Sequence, residues 1–364
     1  MADLADKWTN KCLGTKASSA EFSKYDLVAK PYYQLAESSD DADAIDEEFE
    51  IAVCDLGLYL TGQAADKAKF ISQLGAAMSE IGFAILVNHG IAPTLYEQAE
   101  AWITELFTTV SLQDKMKYRA ARHGSVSEGY FPIHETSDIH PDLVEGWVFG
   151  RRAFRLGEEE FDAAELWPKP ELEALFRQLV EAGTALFQPI MSAIIEYLGA
   201  DPDLYVDRLT RPNFGQRLNY YPAMKAEHDA SGAGRLLGHE DIDLFTLLPA
   251  PTIEGLQALN RAGKWVRIQA PAGSIVLNTG DYLQRISNDV LPSTTHRVSP
   301  PRDPADGKRV RVSFPLAAYL RPNELLEVLP CFENPKYDPI RVITFHTGST
   351  AKFYGDDYAV ESPV

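Results

Sequence analysis

Cysteine is scarce in this chain, which has only Cys12, Cys54 and Cys331. They are far apart and odd in number. Neither a disulfide framework nor a CxxC zinc site is encoded, and a reducing cytoplasm is the expected location. Long apolar runs are missing too. No stretch approaches the ~20 residues needed to span a bilayer, and residues 1–18 lack the apolar segment of a secretory signal. Basic residues are in deficit: 34 Lys and Arg stand against 53 Asp and Glu, a formal charge of -19. Nucleic-acid binding needs a basic footprint, and so does an anionic membrane surface. Neither is an expected partner. Such a surplus ordinarily only keeps a protein soluble. Nothing in the pattern specifies an oligomeric state.

What is present is ordinary globular composition, 45% hydrophobic over 364 residues, long enough to bury a sizeable core. Residues 1–49 are polar, with an acidic run from Ser38 to Glu48, and read as an arm laid over the fold. From there the pattern tightens. Phe49 to Leu56 is a strand candidate. Ala65 to Ile81 places Phe70, Ile71, Leu74, Ala77, Met78 and Ile81 on one helical face, with Gly82 as its stop. Phe83 to Val87 reads as a strand, and Pro93 opens a helix with Leu95, Ala99, Trp102, Ile103 and Leu106 inward. Arg119 to Pro170 reads as loop-rich. Glu171 to Leu198 is the longest helical pattern, with a bend expected at Pro189. After Gly199 short strand-like runs dominate, among them Asn213 to Tyr221, Asp243 to Leu248, Ser274 to Asn278, Thr294 to Val298 and Arg309 to Leu320. Evenly spaced short strands indicate a β-sandwich or barrel. The expectation is a helical N-terminal half packed on a β-rich core.

The chemistry concentrates at His239-Glu240-Asp241 and at His296. Residues two apart on a strand point to one side of the sheet, so His239 and Asp241 can reach one metal. A second strand must bring His296, and a jelly roll brings two such strands together at one open end. Two imidazoles and a carboxylate form the facial set of non-haem iron, and they also suit zinc. No HExxH helix or cysteine ligand favours zinc. His-x-Asp alone is a weak signal, since His140-Pro141-Asp142 repeats it in a loop. That copy, with proline between its ends, is not read as a metal site.

Arg309, Arg311 and Ser313 share one face of a later strand. A guanidinium beside a hydroxyl seats a carboxylate, although an arginine on a strand is more often half of a surface ion pair. Spacing alone leaves Arg309 and Arg311 as alternatives. Tyr221, with Asn219 two residues back, offers a phenol and an amide to such a face, and alone reads as strand packing.

Many ordered motifs carry a resemblance. They include Gly82-Phe83, Val87-Asn88-His89-Gly90-Ile91, Lys115-Met116-Lys117-Tyr118, Gly129-Tyr130 and Arg217-Leu218-Asn219-Tyr220-Tyr221-Pro222. His239-Glu240-Asp241, Gly255-Leu256-Gln257, Asn278-Thr279-Gly280-Asp281, His296-Arg297-Val298 and Arg311-Val312-Ser313-Phe314 follow in order. Over roughly residues 50 to 345 the chain resembles the iron(II)/2-oxoglutarate-dependent dioxygenases of the isopenicillin N synthase-like type. The resemblance implies a mixed α and β fold: a double-stranded β-helix (jelly-roll) core flanked by helices from the N-terminal half. It implies an arm over 1–49, a helical region over 50–200, the catalytic core over 201–345 and a tail over 346–364. It implies Fe(II) on His239, Asp241 and His296. The distal carboxylate of 2-oxoglutarate would lie on Arg311 and Ser313, with Tyr221 and Asn219 assisting. The Arg-x-Ser motif selects Arg311 over Arg309. His89 matches a family motif but carries no ligand role there. Phe245, Ser287-Asn288-Asp289 and Glu145-Gly146-Trp147 depart from the family pattern, and none of them touches a ligand position.

The implied reaction uses 2-oxoglutarate and O2 as co-substrates, releases succinate and CO2, and oxidises a C–H bond by hydroxylation, desaturation or ring closure. Related halogenases carry a small residue at the position of Asp241, so its presence argues against halogenation. The expected partner is a small organic molecule of secondary metabolism, with Tyr130, Phe131, His134, Tyr282, Phe314 and Tyr319 as candidate pocket residues. Buried aromatics are ordinarily core. Two rivals remain: an oxidase of the same fold that takes no 2-oxoglutarate, and a non-catalytic β-barrel binding protein.

Overall fold

The computed structural model describes residues 44–123, 126–133, 142–154, 166–224 and 235–354. Sixteen strands occur among them. In chain order they are β1 (Val53–Asp55), β2 (Phe83–Val87), β3 (Ala121–His123), β4 (Val126–Phe131), β5 (Glu145–Phe149), β6 (Asn213–Tyr221), β7 (Leu236–His239) and β8 (Phe245–Pro249). β9 (Leu256–Leu259), β10 (Trp265–Arg267), β11 (Ile275–Thr279), β12 (His296–Val298), β13 (Arg311–Ser313), β14 (Leu316–Tyr319), β15 (Leu325–Leu326) and β16 (Ile340–Arg341) follow. The large sheet runs β1-β2-β11-β8-β14-β6-β5-β4-β3, with β13 also paired to β6. A smaller sheet runs β10-β9-β12-β7. This is the expected jelly roll with helices from the N-terminal half.

Period-two alternation sorts the large sheet into two faces. Ala84 and Leu86 of β2, Phe245 and Leu247 of β8, Ile275 and Leu277 of β11 and Val312 of β13 pack into the main core with the helices. Their alternates Phe83, Ile85, Leu248 and Val276 meet Leu256, Ala258 and Val266 of the smaller sheet in a second core. The same parity turns Thr246, Asn278, Arg217, Asn219, Tyr221, Arg311 and Ser313 into the space between the sheets.

The Ala64–Ile81 helix buries the six expected residues. Asp66 accepts from the Gln63 N–H at 3.1 Å, satisfying one orphan donor at the N-terminus. Gly82 closes the helix at φ 73, a left-handed cap that only glycine adopts freely. A Cβ there would lie 2.2 Å from the Pro292 carbonyl oxygen. In the Pro93–Thr109 helix Leu95 and Trp102 are half-buried, and Tyr96 and Phe107 take deep positions.

Four expectations are corrected. The long helix is two, Glu171–Thr184 and Phe187–Tyr197. Pro189 lacks an N–H and its ring excludes the carbonyl of Ala185, so the break falls one turn before it. The loop-rich region from Arg119 to Pro170 supplies β3, β4 and β5, which extend the large sheet through β5–β6 pairing. The expected strand Arg309–Leu320 is interrupted at Phe314-Pro315, where Gln216 Nε2 donates to both carbonyls at 2.9 and 3.0 Å. Residues beyond 345 are not all tail, since the Val342–Tyr354 helix runs through them and His346 is buried against the Tyr282 hydroxyl at 2.8 Å. The arm lies outside the described residues up to 43. Ala44 and Asp46 bond to the backbone of Trp265 on edge strand β10.

Candidate active site

His296 opens β12 and pairs in register with His239 at the end of β7. Cross-strand partners bring their side chains together on one face, which sets the two imidazole centroids 4.3 Å apart. Asp241 lies just past the end of β7, not on it. Its carbonyl oxygen accepts from the Asp281 N–H at 2.8 Å and from Ser293 Oγ at 3.4 Å. Loop anchoring, not strand alternation, therefore aims this carboxylate. A close approach fixes the anchor: a Cβ on Gly280 would lie 2.2 Å from the Asp243 carbonyl oxygen.

The carboxylate of Asp241 is divided between two tasks. Oδ2 accepts from Thr246 Oγ1 at 2.7 Å and from Asn278 Nδ2 at 2.8 Å. Oδ1 faces Nε2 of His239 and Nε2 of His296, each at 3.9 Å. A metal about 2.1 Å from each ligand requires donors no more than roughly twice that apart, and both spacings meet it. All three ligand atoms lie within 4.8 Å of one another. His296 Nδ1 is 3.1 Å from the Thr294 carbonyl oxygen. Nδ1–H donates to that carbonyl, which leaves the Nε2 lone pair for a metal. Phe83 packs edge-on against the same ring at 5.6 Å. The set of two nitrogens and one oxygen, without thiolate, fits Fe(II).

Burial raises the pKa of Asp241, but His296, His239, Asn278 and Thr246 outweigh it and hold the carboxyl below its ordinary range. Asp243 goes the other way. Burial, then the neighbouring Asp241, pushes it well above the ordinary range. Thr246 Oγ1 also sits 2.7 Å from Asp243 Oδ2, and one hydroxyl proton cannot serve both acids. Thr246 thus stands between the two carboxyl groups, within hydrogen-bond distance of both.

The candidate anion seat lies on β13 and β6, whose register places Arg311 opposite Tyr221 and Ser313 opposite Asn219. Arg311 is 1% exposed. Its Nε donates to the Ile253 carbonyl at 3.1 Å, its guanidinium lies 4.9 Å from the Tyr221 ring centroid, and its Nη1 has no partner. Burial lowers its pKa. A buried guanidinium with an unfilled donor is costly and calls for a carboxylate. Arg309 is exposed and paired to Asp306 at 2.7 Å, so the choice of Arg311 over Arg309 has a structural counterpart. Asn219 Nδ2 donates to Ser313 Oγ at 3.4 Å, and Arg217 Nε donates to Asn219 Oδ1 at 2.7 Å.

The aromatic candidates separate. Phe131 lies under the Arg217 guanidinium at 5.5 Å, beside the seat. The Tyr130 hydroxyl donates to Glu145 Oε2 at 2.7 Å within a buried group that includes Lys115. Tyr282 and Tyr319 pack together and against His346. Phe314 meets Tyr96 at 6.0 Å in the main core. His134 lies outside the described residues, as do His140 and Pro141. His89 is buried, with Nε2 on the Gly273 carbonyl and Nδ1 accepting from Ile91 N–H, a structural use of both nitrogens. Sequence reasoning assigned no role to Thr246, Asn278, Arg217 or Arg235. For Arg217 the available signal was its parity with Asn219, two residues on along β6; Thr246 and Asn278 are cross-strand partners on β8 and β11, a pairing that sequence does not show.

Residues 51–170 match the family described as non-haem dioxygenase in morphine synthesis, N-terminal, and residues 212–317 match the 2OG-Fe(II) oxygenase superfamily. The chain belongs to the 2OG-Fe(II) oxygenase superfamily. It is an Fe(II)/2-oxoglutarate-dependent dioxygenase, with 2-oxoglutarate and O2 as co-substrates. The matches favour this over the 2-oxoglutarate-independent oxidase and the binding barrel. A bifunctional coumaroyl CoA and feruloyl CoA ortho-hydroxylase of Ruta graveolens is 28% identical over 93% of this chain and 88% of its own. A proline hydroxylase of Petromyces alliaceus is 29% identical over 70% of this chain and 82% of its own. Among solved structures, a full-length Neurospora crassa protein in complex with alpha-KG and thymine shares the fold at TM-score 0.76 and 22% identity, covering 85% of this chain and 99% of that one. A Caulobacter crescentus protein described as a putative 2OG-Fe(II) oxygenase family member superposes at TM-score 0.69 with 28% identity, over 82% and 97%. No helix among the described residues of this oxygenase is long and apolar enough to cross a membrane.

Proposed function

We propose that this oxygenase hydroxylates a C–H bond of a small organic molecule in secondary metabolism. His239, Asp241 and His296 hold the iron. Arg311 and Ser313 hold the distal carboxylate of 2-oxoglutarate, with Tyr221 and Asn219 setting the shape and polarity of the seat. The observation that carries this reading is the pairing of a three-donor cluster with a buried arginine whose Nη1 has no partner. When bound, Fe(II) with 2-oxoglutarate and O2 supplies the oxidant that removes hydrogen from the substrate, and succinate and CO2 are released. The chain's own contribution is positional. Thr246 and Asn278 occupy Asp241 Oδ2 and leave Oδ1 for the metal. Phe131 and Arg217 form the substrate-side wall, an aromatic face beside a cation. Tyr130, Tyr282, Phe314 and Tyr319 serve packing. The names of the two plant and fungal hydroxylases support a small-molecule substrate. We place the enzyme in the cytoplasm, on the support of Cys54 and Cys331 as free thiols.

The test is anaerobic addition of Fe(II) and 2-oxoglutarate, reading the weak visible charge-transfer band. Wild type develops the band. Arg311→Met requires far more 2-oxoglutarate, and Asp241→Ala forms no band and no succinate. A normal band and full turnover in Asp241→Ala would falsify the iron assignment.

A further inference from the structure

A second guanidinium lies buried close to the first. Arg235 stands immediately before β7 and is 0% exposed. Its Nη2 donates to the carbonyl oxygens of Arg309 at 3.1 Å and Asp306 at 3.4 Å, in the segment that leads into β13. Its Nε and Nη1 have no partner, and neither has Nη1 of Arg311. No carboxylate of the described residues ion-pairs with either arginine. Tyr221 acts electrostatically on both guanidiniums, and Arg311 acts on Arg235. Burial, then the charge of Arg311, pushes Arg235 down to about 10. Two like charges packed together in a dry site, with three open donor atoms and only the carboxylates of Asp306 and Glu100 acting on them, unpaired and at a distance, are unfavourable alone. A bound carboxylate reverses the sign of the arrangement, because it attracts both cations and fills the empty donors.

The place in the fold suits one anion. Arg235 is on the chain segment that ends in His239, so four extended residues, ~13 Å, separate its backbone from that of a metal ligand. Leu236, the next residue, pairs with Val298 of β12 and packs in one small cluster with Tyr221. Arg235 itself is dry, is bonded to the segment that leads into β13 and lies close enough for the charge of Arg311 to act on it. We propose that Arg235 is the second guanidinium of the co-substrate seat and closes on the distal carboxylate of 2-oxoglutarate opposite Arg311. This rests on the reading of Arg311 given above. Two cations on one carboxylate make the distal group decisive, so the site selects five-carbon diacids over 2-oxo acids that lack it.

The test is calorimetric, on the full chain loaded with Mn(II) and without O2. Two ligands are titrated: 2-oxoglutarate, and 2-oxobutanoate, which keeps the chelating end and lacks the distal carboxylate. Arg235→Met is expected to weaken 2-oxoglutarate by roughly tenfold or more and to leave 2-oxobutanoate unchanged. Arg235→Lys keeps charge and stem while losing the planar fork, and is expected to weaken 2-oxoglutarate by a smaller factor. Unchanged 2-oxoglutarate affinity in whichever of the two variants folds overturns the proposal. So does an equal loss for both ligands, which would assign Arg235 to scaffolding of the Asp306–Arg309 segment. Failure of the underlying reading looks different: Arg311→Met would then bind 2-oxoglutarate as wild type does.

Discussion

Asp241 Oδ2 takes two hydrogen bonds so that Oδ1 alone faces the two imidazoles. Partners of this kind typically contribute about 10–100-fold to metal affinity. Thr246→Val and Asn278→Ala are each expected to weaken metal binding within that range, measured by Mn(II) or Co(II) titration, with the protein still folded. Asp243 offers a separate test through pH. Its pKa is raised in the folded state by burial and by Asp241. The stability linked to its proton is therefore complete below the unfolded value, ~3.9, and is lost as pH rises toward the folded value. Asp243→Asn removes that loss. Urea unfolding of the metal-free protein at several pH values should show the variant gaining on wild type as pH increases. A constant difference would mean that Asp243 is ionised in the fold.

At the scale of elements, short contacts between segments distant in sequence decide the outcome. The Asn278–Asp281 turn is pressed against the Asp241–Leu244 segment. Gly280 N–H donates to the Leu244 carbonyl at 3.0 Å, and Asp281 N–H to the Asp241 carbonyl. Gly280 has an ordinary extended backbone, so its lack of a side chain serves the close approach alone. Gly280→Ala is expected to cost about 1–3 kcal/mol by overpacking and to loosen metal binding through Asp241. Chemical denaturation and metal titration on the same variant check both, and loss of only one would separate the turn from the site. The helix break before Pro189 and the strand break at Phe314-Pro315 follow a similar logic. Proline removes a donor where the pattern of apolar residues would have continued the element.

For the whole molecule, the two cores and the space between the sheets form one system. The first core joins the helices to the large sheet, and the second closes the jelly roll. Cys54 reports on the first. It is fully buried, and burial pushes its thiol up to about 11. A raised pKa means almost no thiolate at pH 8, and thiolate is the reactive form. Iodoacetamide followed by mass spectrometry should leave Cys54 unmodified in the native protein and label it in denaturant. The half-exposed Cys331 should react first of these two. Prompt native labelling of Cys54 would mean that the strand carrying it opens easily. β1 is an edge strand of only three residues, so the experiment also measures how firmly the N-terminal region holds.

The sequence alone determined the type of chemistry and the periodic elements. His239 and Asp241 stood out as candidate ligands because their pattern is local, whereas His296 and the choice of Arg311 with Ser313 over Arg309 came from the resemblance and not from spacing. The Ala64–Ile81 face was legible because burial repeats with the helical period. Only the tertiary structure decided which residues support the ligands. Thr246, Asn278 and Gly280 reach Asp241 or its loop through cross-strand register, and register depends on pairing between remote segments. Arg235 was invisible for the same reason. An arginine before a strand is ordinarily a surface charge, and it becomes half of an anion seat only when two sheets close and leave it dry beside Arg311.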